Sequence, residues 1–253
     1  MVNPDGTGYE RGLYNFDNLP APASDIIEKQ LLSRADDLAS KALQRMLVSD
    51  LEFDGPTRSA WSRFLMSLLH RNPERIAYVR KQMAEELPKY LASIREKFET
   101  ICDTRDPRTY DEFRASLGVS DTERMSLRLL RMILDSKDVG TELNRMFWGV
   151  IQFHRLRHPL LTSDRPLIMT NGIKHSHGHI ILPISPDRIF FAARSQKVGS
   201  EIDRLCKIET TSVGFNDRIV SQARRYVYGT DDRQLRFVSN RFGRQLLSTP
   251  MFE

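Results

Sequence analysis

The chain has 253 residues, 40% apolar and 28% charged, with 38 Lys and Arg against 33 Asp and Glu for a formal net charge of +5. A chain of that length buries a hydrophobic core without disulfides, and the mild positive balance does not by itself point to nucleic acid. Its two cysteines, Cys102 and Cys206, stand far apart in no C-x-x-C spacing, which excludes a disulfide framework and a cysteine-built zinc site.

Residues 1–22 are rich in Gly, Pro, Asn and Asp and have no periodic face, so they read as an extended lead-in segment. Ser24 and Asp25 open a helix whose apolar positions Ile27, Leu31, Leu38, Ala42 and Met46 carry it to about Val48. Asp54-Gly55-Pro56 interrupts the pattern. A second apolar helix follows through Trp61, Phe64, Leu65, Leu68 and Leu69 and stops at Asn72-Pro73. The next spacing, Ile76 to Phe98, predicts a helix kinked near Pro88. Thr109 to Leu117 predicts a short helix closed by Gly118, and Ser120 with Glu123 reads as a capping box opening another. A last helix is expected from about Val139 to Phe153.

After His154 the period shortens. Pro159–Thr162, Pro166–Met169, His179–Ile184 and Arg188–Ala193 are short apolar runs separated by turn residues, which predicts a small antiparallel sheet of three or four strands. Helical spacing returns over Gly199–Thr211 and Phe215–Tyr228. Leu235–Val238 reads as an edge strand and Arg241–Leu247 as a closing helical turn. The expectation is one α+β domain over 1–253, mostly helical: a helical part over 23–154, packed on a small sheet with helices over 155–253. The opening residues lack an apolar signal core and no apolar run approaches the ~18 residues of a membrane span, so a cytoplasmic protein without membrane contact is expected.

Four stretches could carry chemistry. In Thr162-Ser163-Asp164-Arg165-Pro166, Asp164 between two apolar runs suits a base or metal ligand, although Ser and Asp before proline also make turns that cap backbone donors. In Lys174-His175-Ser176-His177-Gly178-His179, three imidazoles would share one face of a strand, but the flanking glycines favour a hairpin tip, and no metal site is assigned. Arg71, in Arg71-Asn72-Pro73-Glu74-Arg75, has the forked donors that hold a carboxylate or phosphate; a salt bridge between helices accounts for it as well. Asn216 reads as an N-cap of a helix carrying Arg224, Arg225, Tyr226 and Tyr228, where basic and aromatic residues interleave as in nucleic-acid binders; tyrosines facing the core and arginines facing water account for the pattern as well. The Walker loop, H-E-x-x-H and G-x-S-x-G are all absent.

The motifs Gly8-Tyr9-Glu10-Arg11-Gly12-Leu13-Tyr14, Trp61 to Pro73, Leu161 to Pro166, Leu182-Pro183-Ile184-Ser185-Pro186, and Asn216 with Ala223 to Tyr228 occur in an order that resembles the bacterial domain of unknown function 4238 family. The resemblance spans nearly the whole chain. Two departures stand out: the family usually begins with a segment bearing a His-Tyr-x-Pro-like motif, which has no match here, and often has a small polar residue where this chain has Arg165. The first implies a chain short at its N-terminus and, if the missing His belonged to a site, an inactive one. The resemblance implies no activity, cofactor or partner, and leaves oligomeric state open. It directs interest to Asp164, Arg71 and Asn216. One hypothesis is a hydrolase of phosphodiesters, with Asp164 as base or metal ligand, Arg71 and Asn216 completing the site, and Ser163, Arg225 and Tyr226 contacting the ligand. The other is a binding or regulatory module without catalysis.

Overall fold

The computed structural model describes residues 33–70, 85, 88–90, 92–93, 95–98, 100, 109–116, 136–154, 156–208 and 211–244. The helix expected over 73–98 falls largely outside these, and the Ser120 capping box wholly so. Contacts divide the chain into two compact units, one containing Arg34–Asn72 and Lys137–Glu253, the other Pro73–Ser136.

In the first unit, helices α1 (Ser33–Leu47) and α2 (Gly55–His70) come before everything else described there. Asp54 starts α2 by accepting the Thr57 amide on its carboxylate at 2.9 Å, the usual way to satisfy an orphan donor of a first turn. In the second unit α3 (Tyr110–Ser116) opens with a reciprocal cap: the Glu112 amide donates to the Thr109 hydroxyl at 3.2 Å and the Thr109 amide to the Glu112 carboxylate at 3.3 Å. Phe98, Tyr110 and Phe113 stack around it, with centroid spacings of 5.9 and 5.2 Å.

Back in the first unit, α4 (Lys137–Arg145) leads into β1 (Phe147–Gln152), and here the expected helix to Phe153 is corrected. At the helix end Arg58, far away in sequence, takes carbonyls inside and just past it: Nε donates to Asn144 O at 2.8 Å and a terminal nitrogen to Met146 O at 2.7 Å. The Trp148 indole N–H takes a further one, Leu143 O, at 3.0 Å. Beyond that point Phe147, Trp148, Val150 and Ile151 are aromatic and β-branched residues that suit a pleated surface.

The remaining elements are β2 (Thr162–Ser163), β3 (Ile168–Thr170), β4 (His179–Ser185), β5 (Arg188–Ala193), α5 (Gln196–Cys206), α6 (Thr211–Gln222), β6 (Val227–Tyr228) and α7 (Leu235–Ser239). Strands β1, β5, β4 and β3, in that spatial order, form one antiparallel sheet; β2 and β6 form a separate antiparallel pair. The fold is α+β. Three further expectations are corrected. The run Pro159–Thr162, expected as a strand of the sheet, is no strand before Thr162, and β2 lies outside the four-stranded sheet. The helix expected to reach Tyr228 stops at Gln222 and its end becomes a turn and β6, while Leu235–Val238 is helical rather than an edge strand.

The runs in β4 and β5 do not alternate apolar with polar because both faces of the sheet are covered. Ile180, Leu182, Phe190 and Ala192 meet α1, α2 and α4 through Met46, Trp61, Leu65 and Leu143. Ile181, Ile189, Phe191 and Ala193 meet α5 and α6 through Ile202, Cys206 and Ile219. Gly149 admits the Phe191 ring directly over β1: a Cβ there would sit 2.3 Å from it. Pro183 is tolerated in β4 at a register irregularity against β5, where a ladder donor is dispensable.

The β4–β5 turn is held by Asp187. Its carboxylate accepts from the Ser185 hydroxyl at 2.6 Å, from Gln152 at 3.2 Å and from Arg188 at 3.1 Å. The Ser185 hydroxyl first, then Arg188, hold that carboxyl below its ordinary 3.8. A group so depressed stabilises the fold above its unfolded value and loses that contribution as pH falls through the folded one, so unfolding free energy drops below about pH 4. Asp187→Asn should make that acid limb shallower in urea midpoints taken from pH 2 to 6; an unchanged limb contradicts the assignment.

Candidate functional site

The site begins with a buried amide. Asn216 lies inside α6, not at its start as an N-cap, and is 2% exposed. Its Oδ1 accepts from the Leu161 amide at 2.8 Å; its Nδ2 donates to Pro159 O at 2.9 Å and to Gln234 Oε1 at 3.1 Å. Gln234 in turn donates to Pro159 O at 2.8 Å. Two side-chain amides thus clamp the segment after β1, which also donates the Leu160 amide to Pro186 O at 2.8 Å. These bonds anchor the backbone of Pro159 to Leu161, directly after Arg157 and His158.

Those two residues open onto a cavity of about 460 Å³, lined also by Ser212, Val213, Asn216, Arg233, Gln234, Phe237 and Arg241. That volume falls in the range of small-molecule sites. Three guanidiniums and an imidazole ring it, and no Asp or Glu lines it. Carboxylates just outside offset two of the cations: Asp231 pairs with Arg233 at 2.5 Å and Asp217 with Arg241 at 2.6 Å. The Arg233 contact holds the Asp231 carboxyl below its ordinary range. Arg241 also lies 4.1 Å above the Phe237 ring. Arg157 is exposed and has no carboxylate partner among the described residues.

The Asp164 motif lies elsewhere. β2 pairs with β6, and Asp164 turns the chain just beyond. Its carboxylate accepts from three successive amides: Arg224 at 3.1 Å, Arg225 at 3.2 Å and Tyr226 at 3.4 Å. Its own amide donates to Tyr226 O at 3.1 Å. Ser163, 6% exposed, accepts from the Arg165 amide at 3.1 Å and donates to Ile219 O at 3.4 Å. Gln222 donates to Leu167 O at 3.1 Å and to Arg165 O. Burial and the nearby Arg224 charge lower the Arg165 pKa from its ordinary value. Tyr226 and Tyr228 stack with centroids 6.1 Å apart.

Of the residues singled out in the sequence, Asn216 lines the cavity, while Ser163, Asp164, Arg225 and Tyr226 do not. Arg71 lies outside the described residues. His175 and His177 stand exposed in the turn between β3 and β4, and His179 begins β4. His177 donates its amide to His175 Nδ1 at 3.1 Å, and the His179 Nδ1 meets His177 O at 3.0 Å, so these rings serve the local backbone. No group of three or more metal-ligating side chains occurs among the described residues. Cys206 is buried, and burial pushes its thiol up to about 12, away from the thiolate that a nucleophile needs. Sequence reasoning missed Arg157, Arg233, Phe237 and Arg241. The basic and aromatic residues of Arg233-Gln234-Leu235-Arg236-Phe237 were the available signal, of the same kind noticed at Arg224 to Tyr228.

Among the described residues no helix is long and apolar enough to cross a membrane. A family model described as Protein of unknown function (DUF4238) matches residues 1–233. No curated protein matches the chain, and no solved structure matches it.

Proposed function

We propose that this chain, which belongs to the DUF4238 family of proteins of unknown function, is a binding module for a small anionic ligand taken into the cavity beside Asn216. The observation that carries this reading is Arg157, a cation without a carboxylate partner among the described residues, on the rim of a cavity lined by no acid. Asp217 and Asp231 offset Arg241 and Arg233, which among the described residues leaves the Arg157 guanidinium, with its planar fork of donors, for a carboxylate or phosphate. His158 offers another ring nitrogen beside it. The amides of Asn216 and Gln234 are engaged in holding the backbone, so they shape the floor rather than read the ligand.

Titration calorimetry with inorganic phosphate, ribose 5-phosphate and benzoate tests the reading. At least one of these anions should bind, and Arg157→Ala should weaken it tenfold or more, the loss of one charge-assisted contact of about 1.5–3 kcal/mol. Equal affinity in wild type and variant rejects the site.

The second reading is a phosphodiester hydrolase centred on Asp164. What favours it is the positive charge concentrated where the half-buried Arg165 faces Arg224. Against it, the Asp164 oxygens already accept three main-chain amides, and a base so engaged has little left for a substrate proton. Metal-dependent cleavage of RNA or DNA by the wild type, abolished in Asp164→Ala, would reverse the order of the two readings. A reducing, cytoplasmic setting is in keeping with the free buried thiol of Cys206.

A further inference from the structure

The geometry points to a nucleoside monophosphate as the ligand class of this cavity, an inference that rests on the anion-binding reading above. The lining divides into two chemistries. Arg157 and His158 directly precede the clamped Pro159–Leu161, and Arg233 comes from the turn before α7; they supply N–H donors for a phosphate. Phe237 and Arg241 supply a flat, stacked pair, the guanidinium 4.1 Å above the ring, with exposed Val213 of α6 beside the same space. Asp217 pairs with Arg241 at 2.6 Å, on the side chain that lies over the ring.

Phosphate donors alone would suit any small phosphate. The flat pair is what a bare sugar phosphate leaves unused. Aromatic rings and guanidinium planes are the surfaces on which nucleobases stack, and they do so with little regard to base identity. Charge agrees as well: a phosphomonoester carries about −1.5 to −2 near neutral pH, against the Arg157 guanidinium, unpaired among the described residues, and the donors of two paired ones. The cavity, at about 460 Å³, suits a ligand of one nucleotide rather than a strand.

The test uses the full chain in titration calorimetry with adenosine 5′-monophosphate, uridine 5′-monophosphate, ribose 5-phosphate and adenosine. Both nucleotides should bind at least tenfold more tightly than ribose 5-phosphate, and adenosine should bind weakest. Phe237→Leu should remove most of the nucleotide advantage and leave ribose 5-phosphate affinity unchanged, while Phe237→Tyr, which keeps the ring, should retain it. Arg157→Ala should weaken nucleotide and sugar phosphate alike. Equal binding of nucleotides and ribose 5-phosphate, indifferent to Phe237→Leu, overturns the nucleotide inference and leaves the anion site standing. If no phosphorylated probe binds and benzoate does not bind either, the anion site falls with it. An oligothymidylate binding more tightly than either mononucleotide would replace the inference with a strand-binding one.

Discussion

Replacing Trp61 by alanine should lower the unfolding free energy by roughly 3–5 kcal/mol, the usual cost of truncating a large buried aromatic. Trp61 is 1% exposed and joins α2 to the sheet, with its ring centroid 5.0 Å from Phe64 and 5.4 Å from Phe190. Met46, Leu65 and Leu143 fill the same core, so little can collapse into the space left behind. The indole N–H has no hydrogen-bond partner among the described residues. Truncation therefore forfeits packing and no polar contact, and Trp61→Phe should cost clearly less than Trp61→Ala. Urea unfolding of the three proteins measures this. A loss below about 1 kcal/mol in Trp61→Ala would contradict the packing described.

Asn216→Ala should cost about 3 kcal/mol, because each buried polar group left without a partner costs about 1–3 kcal/mol. Three groups are affected: the Leu161 amide, the Gln234 Oε1 and, in part, Pro159 O, which keeps its bond from Gln234. Alanine cannot replace any of these bonds, and its smaller side chain leaves a gap in the buried interior of α6. The variant has a second signature. Releasing Pro159–Leu161 loosens the backbone that leads out of Arg157 and His158, so anion affinity should fall along with stability. Denaturation and calorimetry on the same preparation separate the two effects. An Asn216→Ala protein as stable as wild type would mean that the clamp is dispensable.

The sheet was legible where turn residues punctuate the chain. Pro, Gly, Asn and Asp mark the limits of β4 and β5 closely, and the unbroken apolar runs between them fit strands covered on both faces. β1 was not legible. Met146, Phe147 and Val150 sit at positions that satisfy a helix as readily as a strand, and the carbonyls at the end of α4 are taken by Arg58, whose bonds cross 86 and 88 residues of sequence. Leu235–Val238 shows the converse error, a short apolar run whose type periodicity alone does not decide.

For the site, Asn216 was noticed for the wrong reason. Asn near the start of a helical pattern reads as a cap, and only the packing of Pro159 and Gln234 against α6 turns it into a clamp. The cavity escaped notice because its lining comes from separate segments between Arg157 and Arg241. In the sequence these arginines look like the many others on solvated faces. Among the described residues Arg157 has no carboxylate partner, unlike Arg233 and Arg241 of the same lining, and that contrast is a property of the folded chain alone. Phe237 and Arg241 also lie past Arg233, where the family match ends.

The most direct measurement is the crystal structure of the full chain soaked with adenosine 5′-monophosphate. The phosphate is expected within hydrogen-bond distance of the Arg157 guanidinium, about 2.7–3.2 Å, with the base lying against Phe237 and Arg241. A nucleotide bound away from Arg157, or an empty cavity at concentrations where calorimetry reports saturation, would contradict the account.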